Sequence, residues 1–274
     1  MAATSPQPRP KKTAPSTHRD RILTHLGVLG IPLSGSDLDQ FLAEAEREHL
    51  SPLEFADRLL GRQADARHER TIQRRIREAC FREVQALEAF DWEFNRQTID
   101  RQQIEELATG DFIRRRDHLV LVGQSGVGKS FLVQALGRRA CALGYRVRYI
   151  TSADLLQDLC ARLADKSLPQ RVRYYARFDW LIIDEFGFDR LERLDSRPAT
   201  NLLYKIIDAR AQRSTSLVTN VDFERWADYL DDPPLAMAFL DRVVDGAIIL
   251  KIPGKSYRAH RAQKRSPTTP AKAK

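Results

Sequence analysis

Cysteine is scarce in this sequence: Cys80, Cys141 and Cys160 are all there is in 274 residues, an odd number with no close spacing. That argues against a disulfide frame or a zinc site and for reduced thiols in a cytosolic protein. Long apolar runs are missing too, and nothing approaches the ~20 residues of a membrane-spanning helix. The first 17 residues hold no apolar segment of the signal-peptide type. The expectation is a soluble, cytoplasmic chain without a membrane partner. Acidic residues are absent from 251–274, where eight Lys or Arg fall. The whole chain carries a formal charge of +8, and the positive charge is clustered. A polyanionic partner, nucleic acid above all, fits that pattern better than a basic surface kept for solubility. The hydrophobic share of 42% is enough for a real core. The length suits one large domain with appendages, or two domains.

One stretch organises the rest. Gly123-Gln124-Ser125-Gly126-Val127-Gly128-Lys129-Ser130 fits the phosphate-binding template G-x-x-x-x-G-K-[ST] at every fixed position. His118 to Val122 before it reads as a strand, and Phe131 to Arg139 after it has helical spacing. Strand, glycine-rich loop and helix is the context the template needs. Loop N–H groups close around polyphosphate oxygens, and the helix N-terminus adds a favourable dipole. The expectation is an ATP site over Gly123–Phe131. Lys129 reaches the β- and γ-phosphates and the Ser130 hydroxyl sits on Mg²⁺.

Downstream, Trp180 to Ile183 is an apolar strand ending in Asp184-Glu185. The first acid of such a pair helps hold Mg²⁺, directly or through water, and the second polarises a water for attack on the γ-phosphate. Hydrolysis by water is thereby favoured over transfer to a small-molecule hydroxyl. Arg146–Ile150, Ser216–Asn220 and Ala247–Ile252 read as further strands. Helices are expected from a cap at Thr151 or Ser152, over 166–177, and over 201–212 with Leu202, Leu203, Ile206 and Ile207 inward. Asn220, at a strand end, either orients the attacking water or makes a turn. Pro233-Pro234 marks a break. Alternating strand and helix predicts an α/β core, a parallel sheet covered by helices on both faces, with nucleotide at the carboxyl ends of the strands.

Residues 18–85 read as a helical N-terminal module. Leu38, Phe41, Leu42 and Ala45 share one helical face. Ser51-Pro52-Leu53-Glu54 carries a capping box before Leu53, Phe55, Leu59 and Leu60. Arg67, Arg70, Arg74 and Arg77 form a stripe that either follows phosphates or faces solvent. Phe90, Asp91, Trp92 and Phe94 either cover the adenine or pack on the core. Arg171, Arg173 and Arg177 interleave with Tyr174 and Tyr175, as in a stacking surface or an ordinary surface helix. The domain plan is a basic tail over 1–17, the helical module over 18–85, the ATPase core over 86–258 and a basic tail over 259–274, both tails without order.

Gly123 to Ser130, Leu181-Ile182-Ile183-Asp184-Glu185-Phe186-Gly187, Val218-Thr219-Asn220, Leu240-Asp241-Arg242 and Ser256-Tyr257-Arg258 follow one another in that order. The set resembles the IstB family, ATP-dependent helpers of bacterial insertion-sequence transposition. It is similar, more loosely, to DnaC helicase loaders and the initiator DnaA, all of the AAA+ class. The resemblance covers about residues 20–260. It implies ATP-bound homo-oligomers on duplex DNA that bend it and recruit an IstA-type transposase, which stimulates hydrolysis. It implies Asn220 as a first sensor, Arg242 as an arginine finger reaching a neighbour's ATP, and Arg258 as a second sensor. A fixed guanidinium fork suits developing phosphate charge, whereas an intrachain pair is the plainer use of Arg242. A DnaC-like helicase loader and a small-molecule kinase are the competing readings.

Overall fold

The computed structural model describes residues 17–83, 85–187, 196–222, 225–226 and 233–265. Its contacts divide the chain into two compact units, 1–71 and 72–274. In the first, α1 (His18–Val28), α2 (Gly35–Arg47) and the start of α3 (Pro52–Ala79) each begin at a capping box. At α3 the Ser51 N–H donates to Glu54 Oε2 at 2.8 Å, and the Glu54 N–H donates back to Ser51 Oγ at 3.3 Å. Leu26, Leu38 and Phe41 are buried there. Arg19 makes a two-pronged bond to Asp39, at 2.7 Å on each prong. Leu42, Leu53 and Leu60 are exposed. The four arginines of the expected stripe all lie on α3.

In the second unit five strands form one parallel sheet in the order β2-β3-β4-β1-β5. They are β1 (Leu119–Val122), β2 (Val147–Thr151), β3 (Trp180–Phe186), β4 (Ser214–Thr219) and β5 (Ile248–Lys251). Strand alternation sorts their side chains to two faces. Val120, Val122, Ile150, Leu181, Ile183 and Leu217 meet α7 (Ser152–Ala164), α8 (Leu168–Ala176), α9 (Ser196–Ala209) and α10 (Pro233–Val244). Leu119, Leu121, Tyr149, Ile182, Val218 and Leu250 meet α4 (Arg101–Leu107), α5 (Asp111–Arg115) and α6 (Lys129–Ala142). Each fully buried side chain of this size contributes about 1.5–3 kcal/mol. Continuous apolar strands are what a sheet covered on both faces requires, and the α/β core is as the sequence predicts. Thr151 is the residue that caps α7, accepting from the Asp154 N–H at 3.2 Å.

Residues 259–265, expected in an unordered tail, belong instead to α11 (Tyr257–Arg265). Ser256 caps it, its Oγ accepting from the Ala259 N–H at 3.3 Å, and neither Pro nor Gly interrupts 257–265. Tail residues 1–16 and 266–274 lie outside the described residues. Among those described, no helix is long and apolar enough to cross a membrane.

Close packing of α6 on β3 depends on Gly137. A Cβ there would come within 2.6 Å of Phe81 Cε1 and 3.2 Å of Ile182 Cδ1. Gly137→Ala is therefore expected to destabilise the fold by about 1–3 kcal/mol through overpacking. Denaturant unfolding of the full chain measures this, and an unchanged midpoint would show that the ring yields freely.

Candidate active site

Every strand of a parallel sheet ends on the same edge, and this edge gathers the acids and the glycine loop. β1 ends at Val122, and the Gly123 N–H donates to Thr219 O of β4 at 3.2 Å. The loop then turns through Gly126, φ 84°, and Gly128, φ 106°. These are left-handed conformations that glycine adopts without steric cost. The close approaches demand glycine as well: a Cβ on Gly126 would collide with Ser256 Oγ, and one on Gly128 would lie 2.9 Å from Phe90 Cε2. Gln124, Ser125 and Val127 complete the turn, and α6 starts at Lys129, with Ser130 and Phe131 in its first turn. The first N–H groups of a helix have no intrahelical partner and point out of its N-terminal end, the arrangement that attracts anions.

Lys129 is buried, and its Nζ donates to Gly123 O at 2.7 Å and Gln124 O at 2.8 Å. Burial is the main influence lowering its pKa below the ordinary lysine value; the charge of Asp184 opposes this and that of Arg258 adds to it. Asp184 and Arg258 thus share the electrostatic neighbourhood of the lysine. Asp184 is 2% exposed. Its Oδ2 accepts from Tyr149 Oη at 2.7 Å and its Oδ1 from the Glu185 N–H at 2.7 Å. Each bond leaves further lone pairs on the carboxylate, so the acid is oriented and still able to act as a ligand. Burial, with the Asp184 charge behind it, raises the Tyr149 phenol well above its usual range, so it stays a donor.

Glu185 sits on a β-bulge. The pairing of β3 with β4 shifts between Ile183 and Phe186, and Glu185 takes φ 58°. A bulge re-aims a side chain, and a non-glycine residue in this region carries backbone strain. Glu185 is exposed, in contrast to Asp184, and pairs with Arg82 at 2.9 Å. Asn220 follows the end of β4, exposed on the same sheet edge.

The other expected site residues divide. Tyr257 and Arg258 begin α11, and the Tyr257 N–H donates to Gly126 O at 2.9 Å, which ties this segment to the phosphate loop. Arg242 is elsewhere. It lines a cavity of about 400 Å³ with Arg116, Asp117 and His118, the residues that lead into β1. It is therefore near the amino edge of the sheet, away from its own chain's glycine loop. Its Nη1 lies 2.6 Å from Asp208 Oδ1. Phe90 packs on Phe131 at 5.3 Å and on Trp92 at 4.8 Å, so these rings fix the loop and the start of α6. Tyr149 and Arg82 escaped the sequence reading. Nothing local marks either, because each meets its acid only through the fold.

Two glycines at positive φ, a helix N-terminus, a buried ammonium and an oriented carboxylate make a donor set that fits a nucleoside triphosphate and a divalent ion. The comparisons agree on the nucleotide. The profile of the family described as "IstB-like ATP binding protein" matches residues 24–266. A protein of Bacillus thuringiensis subsp. berliner, named as an ATP-binding protein of insertion sequence IS232, is 31% identical over 87% of this chain and 94% of that protein. A Pseudomonas aeruginosa protein named likewise for insertion sequence IS21 is 30% identical over 83% of this chain and 84% of that protein. Among solved structures, AMPPCP-bound DnaA from Aquifex aeolicus is similar in fold, with a TM-score of 0.51 and 22% identity over 63% of this chain and 51% of that one. With a phosphate loop on a parallel sheet and a family profile spanning residues 24–266, this chain belongs to the IstB-like ATP-binding protein family.

Proposed function

We propose that this chain is an ATP-hydrolysing helper of insertion-sequence transposition, which assembles as a homo-oligomer on duplex DNA, bends it and recruits an IstA-type transposase. The observation that carries this reading is the convergence of Lys129, Asp184 and Glu185 on the edge where the glycine loop leaves the sheet. The names of the relatives supply the insertion-sequence context.

In this reading Gly123, Gln124, Ser125, Gly126, Val127, Gly128 and Phe131 line the phosphate cradle. Lys129 exchanges its two loop carbonyls for β- and γ-phosphate oxygens. Ser130 and Asp184 hold Mg²⁺, which when bound neutralises charge on the phosphate oxygens. Glu185 takes a proton from the attacking water and Asn220 orients that water. Arg242 acts on a neighbouring subunit's ATP. Its place at the amino edge of the sheet supports action in trans, since it is remote from its own loop. The net charge of +8 and the exposed Arg258, Arg261 and Lys264 of α11 favour a polyanion as the assembly platform.

The assembly claim is tested by electron microscopy of the full chain with ATP, Mg²⁺ and a duplex several helical turns long. Curved or ringed oligomers enclosing duplex are expected. A chain that stays monomeric on DNA, and docks instead on a ring helicase, would replace the proposal with a helicase loader.

Tyr149 gives the metal assignment its own test. Tyr149→Phe removes the hydroxyl that orients Asp184 and keeps the ring. Partners of this kind are worth about 10- to 100-fold in metal affinity. The Mg²⁺ concentration that half-maximally tightens ATP binding is expected to rise about 10-fold, with Mg²⁺-free ATP binding unchanged. Calorimetric titrations at stepped Mg²⁺ would read both, and an unaltered Mg²⁺ dependence would remove Asp184 from the metal site.

A further inference from the structure

Glu185 is held from outside the sheet. Arg82 Nη1 donates to Glu185 Oε1 at 2.9 Å, and Arg82 Nη2 lies 3.9 Å from Asp154 Oδ2 in the first turn of α7. The segment that presents Arg82 follows the end of α3 and is itself fastened. The Glu83 N–H donates to Gln134 Oε1 at 3.1 Å, and Arg138 Nη1 donates to Gln85 O at 2.7 Å, both on α6. Phe81 stands against Tyr149 with ring centroids 6.2 Å apart. Arg82 is thus delivered to one place, between the helix after β2 and the bulge of β3.

The bulge leaves Glu185 free of a matched ladder position, and its N–H is taken by Asp184. The ion pair is then what directs its side chain. We infer that Arg82 is a positioning residue that withholds the Glu185 carboxylate from the water it is to polarise, and that turnover requires this pair to open. The inference rests on the reading of Glu185 as general base. The acid whose charge reaches Lys129 is Asp184, whereas that of Glu185 acts on Tyr149 together with Arg82. Both partners are half exposed, at 50% each. Pairs of this kind are weak and readily exchanged, which suits a restraint that opens with each turnover better than a structural brace.

The test uses the full chain with saturating ATP, Mg²⁺ and duplex DNA, without transposase, and counts turnover by release of labelled phosphate. Arg82→Ala is expected to raise kcat about two- to fivefold, the range a half-exposed ion pair can supply. KM and the calorimetric Kd for ATP stay at the parental values. Arg82→Lys, which keeps the charge, restores the slow parental kcat; a role in packing alone would not be rescued this way. Arg82→Gln repeats the measurement if the alanine variant melts early. An unchanged or lower kcat in Arg82→Ala and Arg82→Gln overturns the inference. Glu185→Gln, assayed in parallel, separates the two claims. If it turns over at the parental rate, the general-base reading falls. If it is inactive while Arg82→Ala is no faster than the parent, only the restraint falls.

Discussion

Glu185→Gln is expected to slow ATP turnover at least about 100-fold while ATP binding and assembly on DNA survive. The amide has the size of the acid but cannot accept the proton of the attacking water. Its backbone strain and its place on the bulge are unchanged, because both belong to the β3–β4 pairing. The neighbouring Asp184 keeps its bonds to Tyr149 and to the residue 185 N–H, so the metal side of the site is spared. Steady-state phosphate release and a DNA mobility assay with ATP measure the two halves. Parental turnover would take the proton-accepting role away from Glu185.

Arg242→Ala has the next largest expected effect: about 1,000-fold slower hydrolysis in the assembled state, the scale of an arginine supplied to a transferring phosphoryl group. ATP binding by the isolated chain should be unaffected, since Arg242 lies with Arg116, Asp117 and His118 and not with the glycine loop. In the single chain the guanidinium is paired with Asp208 at 2.6 Å. Both groups are about half exposed, so the pair is of the weak surface kind and can be exchanged for a neighbour's phosphates. Mixing decides between action in trans and a purely structural pair. Arg242→Ala and Lys129→Ala chains, each inactive alone, should recover activity together, because a Lys129→Ala chain offers its arginine to an intact phosphate loop. No recovery at any mixing ratio would assign Arg242 to the Asp208 pair.

The parts of this molecule legible in the sequence are those whose cause is local. The phosphate loop declares itself because glycine, lysine and serine must stand at fixed spacing between a strand and a helix. The acidic pair declares itself as charge at the end of an apolar strand. Leu202, Leu203, Ile206 and Ile207 are all buried as their spacing predicts. Boundaries were less clear: α9 begins at Ser196, five residues before the predicted Asn201, since a proline is tolerated in a helix's first turn. Leu42, Leu53 and Leu60, apolar residues of the helical module, stay exposed. Hydrophobic character alone does not bury a side chain when the unit around it is small. Contacts between distant residues left no local trace. Arg82 meets Glu185 across 103 positions and Tyr149 meets Asp184 across 35. Arg242 could be suspected of an ion pair, but not with Asp208. The adjacent Asp241 lines the same cavity, yet the ion pair forms with Asp208, which only the packing of the two helices brings within reach.

Calorimetric titration of the full chain with ATP in the presence of Mg²⁺ bears most directly on the central claim. One saturable site per chain is predicted, abolished in Lys129→Ala and tightened when duplex DNA is present. Absence of ATP binding by the folded chain, with and without duplex, or binding untouched by Lys129→Ala, would contradict the account.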